Sequence, residues 1–161
     1  DLQIAGGKVK SVIVGMGKAA VGDDIAFRAG DADIVCTPVS VGNPHAVIFA
    51  DDVEEIPLTV LGPQIEHHEN FPGGVNVEFV QVLSKDALRM RVWERGSGVT
   101  MACGTGACAS AAAAAARGYC EYDTPVSVHL DGGTLKIQIA RNGAVTMAGP
   151  AEIVYEGEIA I

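Results

Sequence analysis

The stretch from Thr105 to Arg117 constrains this chain more than any other: Thr105-Gly106-Ala107-Cys108-Ala109-Ser110 leads into an unbroken alanine run, Ala111 to Ala116. It contains no proline and a single interior glycine, and alanine has the highest intrinsic helix propensity, so the stretch predicts a helix. Small, mostly apolar side chains occupy every face of that helix, leaving no polar stripe for water. A helix of this kind is buried all round. The rest of the chain must therefore supply a shell.

That shell reads as strands. Apolar residues alternate with period two over Val9–Val14, His45–Phe49, Val75–Leu83 and Leu88–Trp93. After the helix, Val126, Val128 and Leu130 lead to Asp131-Gly132-Gly133; Leu135, Ile137 and Ile139 lead to Arg141-Asn142-Gly143, with Val145 and Met147 beyond, a meander of hairpins. Glu94 to Met101 reads as a polar, glycine-bearing connection. A second helix is expected from about Pro63 to Asn70, opened by a proline in its first turn and stopped before Pro72. The fold class is α+β: a curved mixed or antiparallel sheet, barrel-like, wrapped around a central alanine-rich helix.

At 161 residues the chain suits one domain or two small lobes, and its 48% hydrophobic content makes it globular. The formal charge of −9, without a lysine or arginine cluster, argues against a nucleic-acid partner. The alanine tract is too short to span a bilayer, and no secretory signal is visible. A small-molecule partner fits better. Cys36, Cys103, Cys108 and Cys120 form no C-x-x-C pair, which makes a zinc site or a disulfide framework a poor reading; reduced thiols in a cytoplasmic protein suit the spacing. The first residue is Asp1 rather than methionine, consistent with a processed piece or a fragment.

Cys103 and Gly104 sit at the entry of the buried helix, where the first N–H groups lack intrahelical acceptors and the dipole leaves partial positive charge. That is an anion site. A thiol there is expected to ionise more easily than a free cysteine, and the thiolate is the nucleophilic and basic form. The alternative is a small buried structural cysteine. Gly104 and Gly106 leave room for a ligand to approach the backbone. Gly104-Thr105-Gly106-Ala107-Cys108-Ala109 also matches the dinucleotide pattern G-x-G-x-x-G/A, but no strand runs straight into it and hairpins follow, so the βαβ context is absent.

Further polar residues fall at strand ends and glycine-rich turns. His45, after Gly42-Asn43-Pro44, reads either as a general acid or base or as a satisfied strand-start histidine. Asn76 alone is compatible with an ordinary strand position. Glu94-Arg95 reads as a solvated surface pair or, at a cleft, as an arginine that holds a carboxylate beside a glutamate that accepts an ammonium or sets a thiol's protonation. His67 and His68, being adjacent, do not share a helix face and read as surface residues.

Gly42-Asn43-Pro44-His45, Gly62-Pro63-Gln64-Ile65-Glu66 with His68 and Phe71-Pro72, Asn76-Val77, Arg91-Val92-Trp93-Glu94-Arg95-Gly96 and Ala102-Cys103-Gly104-Thr105-Gly106 together resemble the diaminopimelate epimerase family in order and spacing. Met147-Ala148-Gly149-Pro150-Ala151-Glu152 resembles the family's end. The resemblance implies one lobe of a two-lobed, cofactor-independent epimerase that interconverts LL- and meso-diaminopimelate on the route to lysine and peptidoglycan, with two cysteines facing each other across the substrate's α-carbon. Cys103 then matches one of that pair, and Glu94 and His45 match the groups flanking it. Gly104 and Thr105 match the loop that holds the reacting carboxylate; Asn43, Asn76 and Arg95, with Glu94 beside them, match the residues that recognise substrate.

The resemblance also has departures. The other catalytic cysteine belongs, in the family, to an asparagine- and glycine-rich loop of an N-terminal lobe, and none of Cys36, Cys108 and Cys120 has such a setting. Residues 1–149 thus read as the C-terminal catalytic lobe, which alone would be inactive in turnover, and 150–161 as a terminal strand that in the family returns to the other lobe. Glu152 to Ile161 would then expose an edge. Val99 stands where the family usually has a glutamate. Other readings are a proline or hydroxyproline racemase-type enzyme of the same fold, a non-catalytic ligand-binding or assembly domain, and a homodimer placing two Cys103 thiols at one site, which would require a self-complementary interface.

Overall fold

The structure, a computed structural model, describes residues 1–159. In chain order its elements are β1 (Leu2–Ala5), β2 (Lys8–Lys18), β3 (Ala20–Val21), β4 (Ile25–Ala29), β5 (Ala32–Ser40), β6 (Pro44–Phe49), α1 (Leu58–Glu66), β7 (Asn76–Ser84), β8 (Ala87–Glu94), β9 (Gly98–Thr100), α2 (Gly104–Ala116), β10 (Pro125–Leu130), β11 (Gly133–Ile139) and β12 (Ala144–Pro150). The strands form one mixed sheet in the order β1-β2-β12-β11-β10-β8-β7-β6-β5-β3, with β4 added on β5 and β9 on β8. The β6–β7 and β8–β10 pairs are parallel and the others antiparallel.

The sheet curls without closing into a continuous barrel. Its two flanks converge on one stretch of chain, because β2 pairs with β12 while β3, separated from β2 only by Ala19, pairs with β5. α2 lies inside the curl and packs against β3, β5 to β8 and β10 to β12. Every residue from Gly106 to Ala115 is buried. Alanine explains how: without long side chains the helix axis approaches the surrounding strands closely, which no leucine-rich helix could do in the same space.

Two apolar clusters divide along the pleat. Val47, Val80, Leu88, Met90 and Val92 face α2, whereas Ala46, Ile48, Val77 and Phe79 belong to a second cluster covered by Leu58 and Ile65 of α1. Strands β6 and β7 are thus buried on both faces. By the same alternation Glu78 sits with Val80 on the helix-facing side of β7, and Glu94 follows Val92 on the helix-facing side of β8.

The central helix and the hairpins after it lie where the sequence predicts. The second helix does not: it runs Leu58–Glu66, with Pro57 at its N-cap and Pro63 inside it. Leu58, Gly62 and Ile65 form a buried stripe at helical spacing, and that burial outweighs both the proline and the β-branched Thr59 and Val60. Residues after Glu66 form turns, with the N–H of Phe71 donating to the His68 carbonyl at 2.8 Å. The connection after Glu94 is also corrected, since Gly98–Thr100 folds back as a strand on β8. The segment expected as a terminal strand, 150–161, begins with Pro150 at the end of β12. Ala151–Ile159 carry no regular element, and Ile153, Val154 and Tyr155 are more than 80% exposed. The remainder of that expectation, Ala160 and Ile161, lies outside the described residues.

Candidate active site

Cys103 is the N-cap of α2. Its backbone is extended (φ −135°, ψ 111°), and its sulfur accepts a hydrogen bond from the Gly106 N–H at 3.3 Å. The side chain thus occupies the place where serine or aspartate usually caps a helix. Thr105 turns its hydroxyl to within 3.6 Å of the same sulfur. Gly106 is forced by its surroundings: a β-carbon there would lie 2.8 Å from Glu78 Oε1 and 3.2 Å from Cys103 Sγ.

The expectation that this thiol ionises easily is overturned. Burial pushes it up to about 11, with Glu78 and Glu94 adding to the rise, and the hydrogen bonds from Thr105 and Gly106 only partly oppose this. Cys103 is therefore a thiol near neutral pH. Desolvation wins because the helix terminus offers partial charges, while burial removes the hydration of a full one. Cys36 and Cys108 are pushed to about 12, again mainly by burial, and all four cysteines are free.

His45 and Asn43 come from the start of β6 and the turn before it. Gly42, at φ +94°, makes that turn. His45 is buried, with Nδ1 2.7 Å from Glu78 Oε1 and Nε2 3.0 Å from Asn43 Oδ1. Half-buried Asn43 bridges onward, its Nδ2 donating to Thr105 Oγ1 at 3.3 Å. His45 is thus held at the start of β6 between Glu78 and Asn43.

Asn76 is buried and engaged at both ends of its amide: Nδ2 donates to the Pro44 carbonyl at 3.0 Å, and Oδ1 accepts from the Arg95 N–H at 3.0 Å. It ties the Asn43 turn to the end of β8. Arg95 is exposed, with one guanidinium N–H donating to the Gly73 carbonyl at 3.2 Å. Glu94 accepts from the Thr100 hydroxyl on β9. Val99, on the same short strand, is 44% exposed and pairs with Trp93 through the backbone.

Two residues bonded to the candidate site went unrecognised in the sequence. Glu66 closes α1 onto the Glu94-Arg95-Gly96 turn, its Oε2 accepting from Trp93 Nε1 at 2.7 Å and its Oε1 from the Gly96 N–H at 2.9 Å. Glu78 is the other, fully buried, paired with His45 through one oxygen while the second oxygen has no hydrogen-bond partner. A glutamate inside an apolar strand, Val75-Asn76-Val77-Glu78-Phe79-Val80, was the available signal, because a buried charge demands a partner.

The structure therefore gathers Asn43, His45, Glu94, Cys103, Gly104 and Thr105 around the entry of α2, with Asn76 and Arg95 at the adjoining rim. No cluster of histidine, cysteine, aspartate or glutamate suited to a metal ion occurs among the described residues. No helix among them is long and apolar enough to cross a membrane.

Residues 37–154 match the diaminopimelate epimerase family. The chain belongs to that family. It is 47% identical to the diaminopimelate epimerase of Bacillus licheniformis over an alignment of 175 residues that takes in all of this chain and 61% of the relative. The diaminopimelate epimerase of Bacillus cytotoxicus is 58% identical over 121 residues, covering 75% of this chain and 42% of that protein. The chain thus spans about half of the length of the family members it matches. Among solved structures, a hydroxyproline epimerase from Agrobacterium vitis superposes with a TM-score of 0.68 at 20% identity, covering 92% of this chain and 52% of that one, a likeness of fold.

Proposed function

We propose that this chain is the half of a diaminopimelate epimerase that supplies Cys103, and that it works with a second thiol carried on another lobe. The observation that carries the reading is the Cys103 environment: a thiol capping a buried helix, with the N–H groups of Gly104 and Thr105 in the first turn, where helices leave donors without intrahelical acceptors. Those donors suit the substrate carboxylate next to the reacting carbon, and they stabilise negative charge that develops there as the α-proton leaves.

In the proposed reaction a thiolate on one face of the α-carbon takes its proton while a thiol on the other face delivers one. The configuration inverts, no electron pair leaves the substrate, and the two sulfurs exchange protonation states. Cys103, pushed up to about 11, enters as the proton donor. Its thiolate is then met by the Thr105 hydroxyl and the Gly106 N–H. Arg95 at the rim suits a second carboxylate, and Glu94 and Asn43 suit an ammonium; a substrate with a second amino-acid end would use this set, whereas proline has no group to offer it.

The test is reconstitution. The purified chain should show no conversion of LL-diaminopimelate to the meso form, and adding the remaining lobe of a family member should restore it. An aziridine analogue of diaminopimelate should then label Cys103, located by peptide mass spectrometry. Substantial turnover by the chain alone would overturn the shared-site reading. An unreactive Cys103 with no activity after addition of the lobe would favour a non-catalytic binding domain, and conversion of proline but not diaminopimelate would favour the racemase reading.

A further inference from the structure

Glu78 has no part in the two-thiol chemistry, yet it begins a row of hydrogen-bonding side chains that ends on the reacting sulfur. Its Oε1 meets His45 Nδ1 at 2.7 Å, and His45 Nε2 meets Asn43 Oδ1 at 3.0 Å. Asn43 Nδ2 meets Thr105 Oγ1 at 3.3 Å, and Thr105 Oγ1 lies 3.6 Å from Cys103 Sγ. The row joins β7, the start of β6 and the first turn of α2.

Proton count sets the direction of such a row. If one proton lies between Glu78 Oε1 and His45 Nδ1 while Nε2 carries another, Nε2 donates to Asn43 Oδ1. The Asn43 amide then presents its NH2 to Thr105 Oγ1, and the Thr105 O–H is left to donate to sulfur. If the pair holds one proton fewer, that proton stays on Nδ1 against the carboxylate and Nε2 becomes an acceptor. The Asn43 amide must then invert, its carbonyl takes the Thr105 hydroxyl proton, and the sulfur loses a donor. Both amide orientations occupy the same space, so only the protons distinguish them.

Burial discriminates between the two. The second state leaves a net negative charge on a fully buried pair, and Glu78 Oε2 has no partner to disperse it. From β8 the facing charge is Glu94, of the same sign, and from α2 it is Cys103, whose thiolate would add another. The Gly106 N–H, beside Glu78 at the helix start, is already spent on the Cys103 sulfur. Burial pushes the Glu78 carboxyl up from the usual carboxylate range; His45 is the main partner drawing it toward the charged form, with a smaller contribution from the Glu78 backbone.

We propose that Glu78 and His45 form a net-neutral pair sharing one proton, and that Glu78 is thereby a positioning residue: it keeps His45 Nε2 a donor, fixes the Asn43 amide, and directs the Thr105 hydroxyl onto Cys103. The consequence for catalysis rests on the proposed role of Cys103; the hydrogen-bond direction does not, and it is measurable in the substrate-free chain.

The decisive measurement is the protonation of His45 at pH 7 by proton–nitrogen correlation NMR on chain carrying 15N-labelled histidine, with the signal assigned by its loss in His45→Asn. A protonated Nε2, in the neutral tautomer or the imidazolium, is expected. A bare Nε2 overturns the proposal whatever the turnover assays give. A double-mutant cycle reads the coupling as the iodoacetamide alkylation rate of Cys103 at pH 9. Thr105→Val and Glu78→Ala should each slow it by about threefold to tenfold, the loss of one hydrogen bond to a charged acceptor, and the double variant should be no slower than either. Glu78→Gln, whose amide can donate to Nδ1, should stay within about twofold of the unaltered rate on the same scale. An unaltered rate in Glu78→Ala, or losses that multiply in the double variant, overturns the proposal; should Glu78→Ala fail to fold, the tautomer in the unaltered chain decides.

Discussion

Cys103 shows how a single residue is governed by competing terms of unequal size. A helix entry lowers a thiol's pKa and burial raises it, and here burial wins, to about 11. Gly106 is the residue on which this balance is built, since its missing side chain lets Glu78 and the Cys103 sulfur approach the helix start. Gly106→Ala would gain about 1 kcal/mol in helix propensity, but the new β-carbon would sit 2.8 Å from Glu78 Oε1 and 3.2 Å from Cys103 Sγ. Overpacking of this kind costs about 1–3 kcal/mol, and Glu78 is fully buried. The expected outcome is a lower urea midpoint, despite the better helix former, with a changed Cys103 alkylation rate; an equal or higher midpoint would show that the site has slack. In the sequence Gly106 reads as room for a ligand, and the structure gives that room to Glu78. The difference is physical: a side chain from β7, far away in sequence, fills the space, and no local pattern announces it.

At the scale of elements, α1 presents bare backbone to β8 at one point, where the Trp93 side chain packs against Gly62. A β-carbon at Gly62 would fall 2.5 to 2.7 Å from Trp93 side-chain atoms, while the Trp93 indole N–H is held by Glu66 one turn further along the same helix. The ring is therefore pinned and cannot step aside. Gly62→Ala should lower stability by about 1–3 kcal/mol through overpacking, outweighing the gain of about 1 kcal/mol from propensity. A chemical denaturation curve would check it, and an unchanged midpoint would mean that α1 shifts freely on β8. The same element marks where sequence reading stops. α2 was legible because every one of its faces gives the same answer, and β10 to β12 because alternation and glycine turns agree. α1 was misplaced by several residues because its apolar stripe is short and a proline lies inside it. Strand β5 escaped notice for a related reason: Pro38 interrupts it, and its buried residues, Ile34, Cys36, Thr37 and Val39, do not alternate cleanly. Cys103, Thr105, Asn43 and Glu94 were legible as candidate site residues from motif and position. Glu66 and Glu78 were not, because what ties them to the candidate site is their partners on other elements.

Across the whole molecule, the curled sheet around α2 sequesters thiols as well as alanines. Cys36, Cys103 and Cys108 are all buried, and burial raises them from the ordinary value of 9.0 to about 12, about 11 and about 12. Each shift links folding to pH. Below about pH 9 these thiols are protonated whether the chain is folded or not, so they add no pH dependence. Above it the unfolded chain releases their protons while the folded chain keeps them until near pH 11 to 12. The folded state then binds more protons than the unfolded state, so unfolding free energy falls as pH rises through that window. The urea midpoint should accordingly be the same at pH 7.0 and 8.0 and clearly lower at about pH 10. Burial raises Cys120 as well, so Cys36→Ala with Cys108→Ala removes two of four contributors without touching Cys103. At neutral pH each substitution loses some packing, so the variant should start lower, yet its midpoint should fall by much less between pH 8.0 and 10. If the variant and the unaltered chain fall in parallel, the alkaline sensitivity comes from other groups, and the buried thiols are not what the fold is protecting.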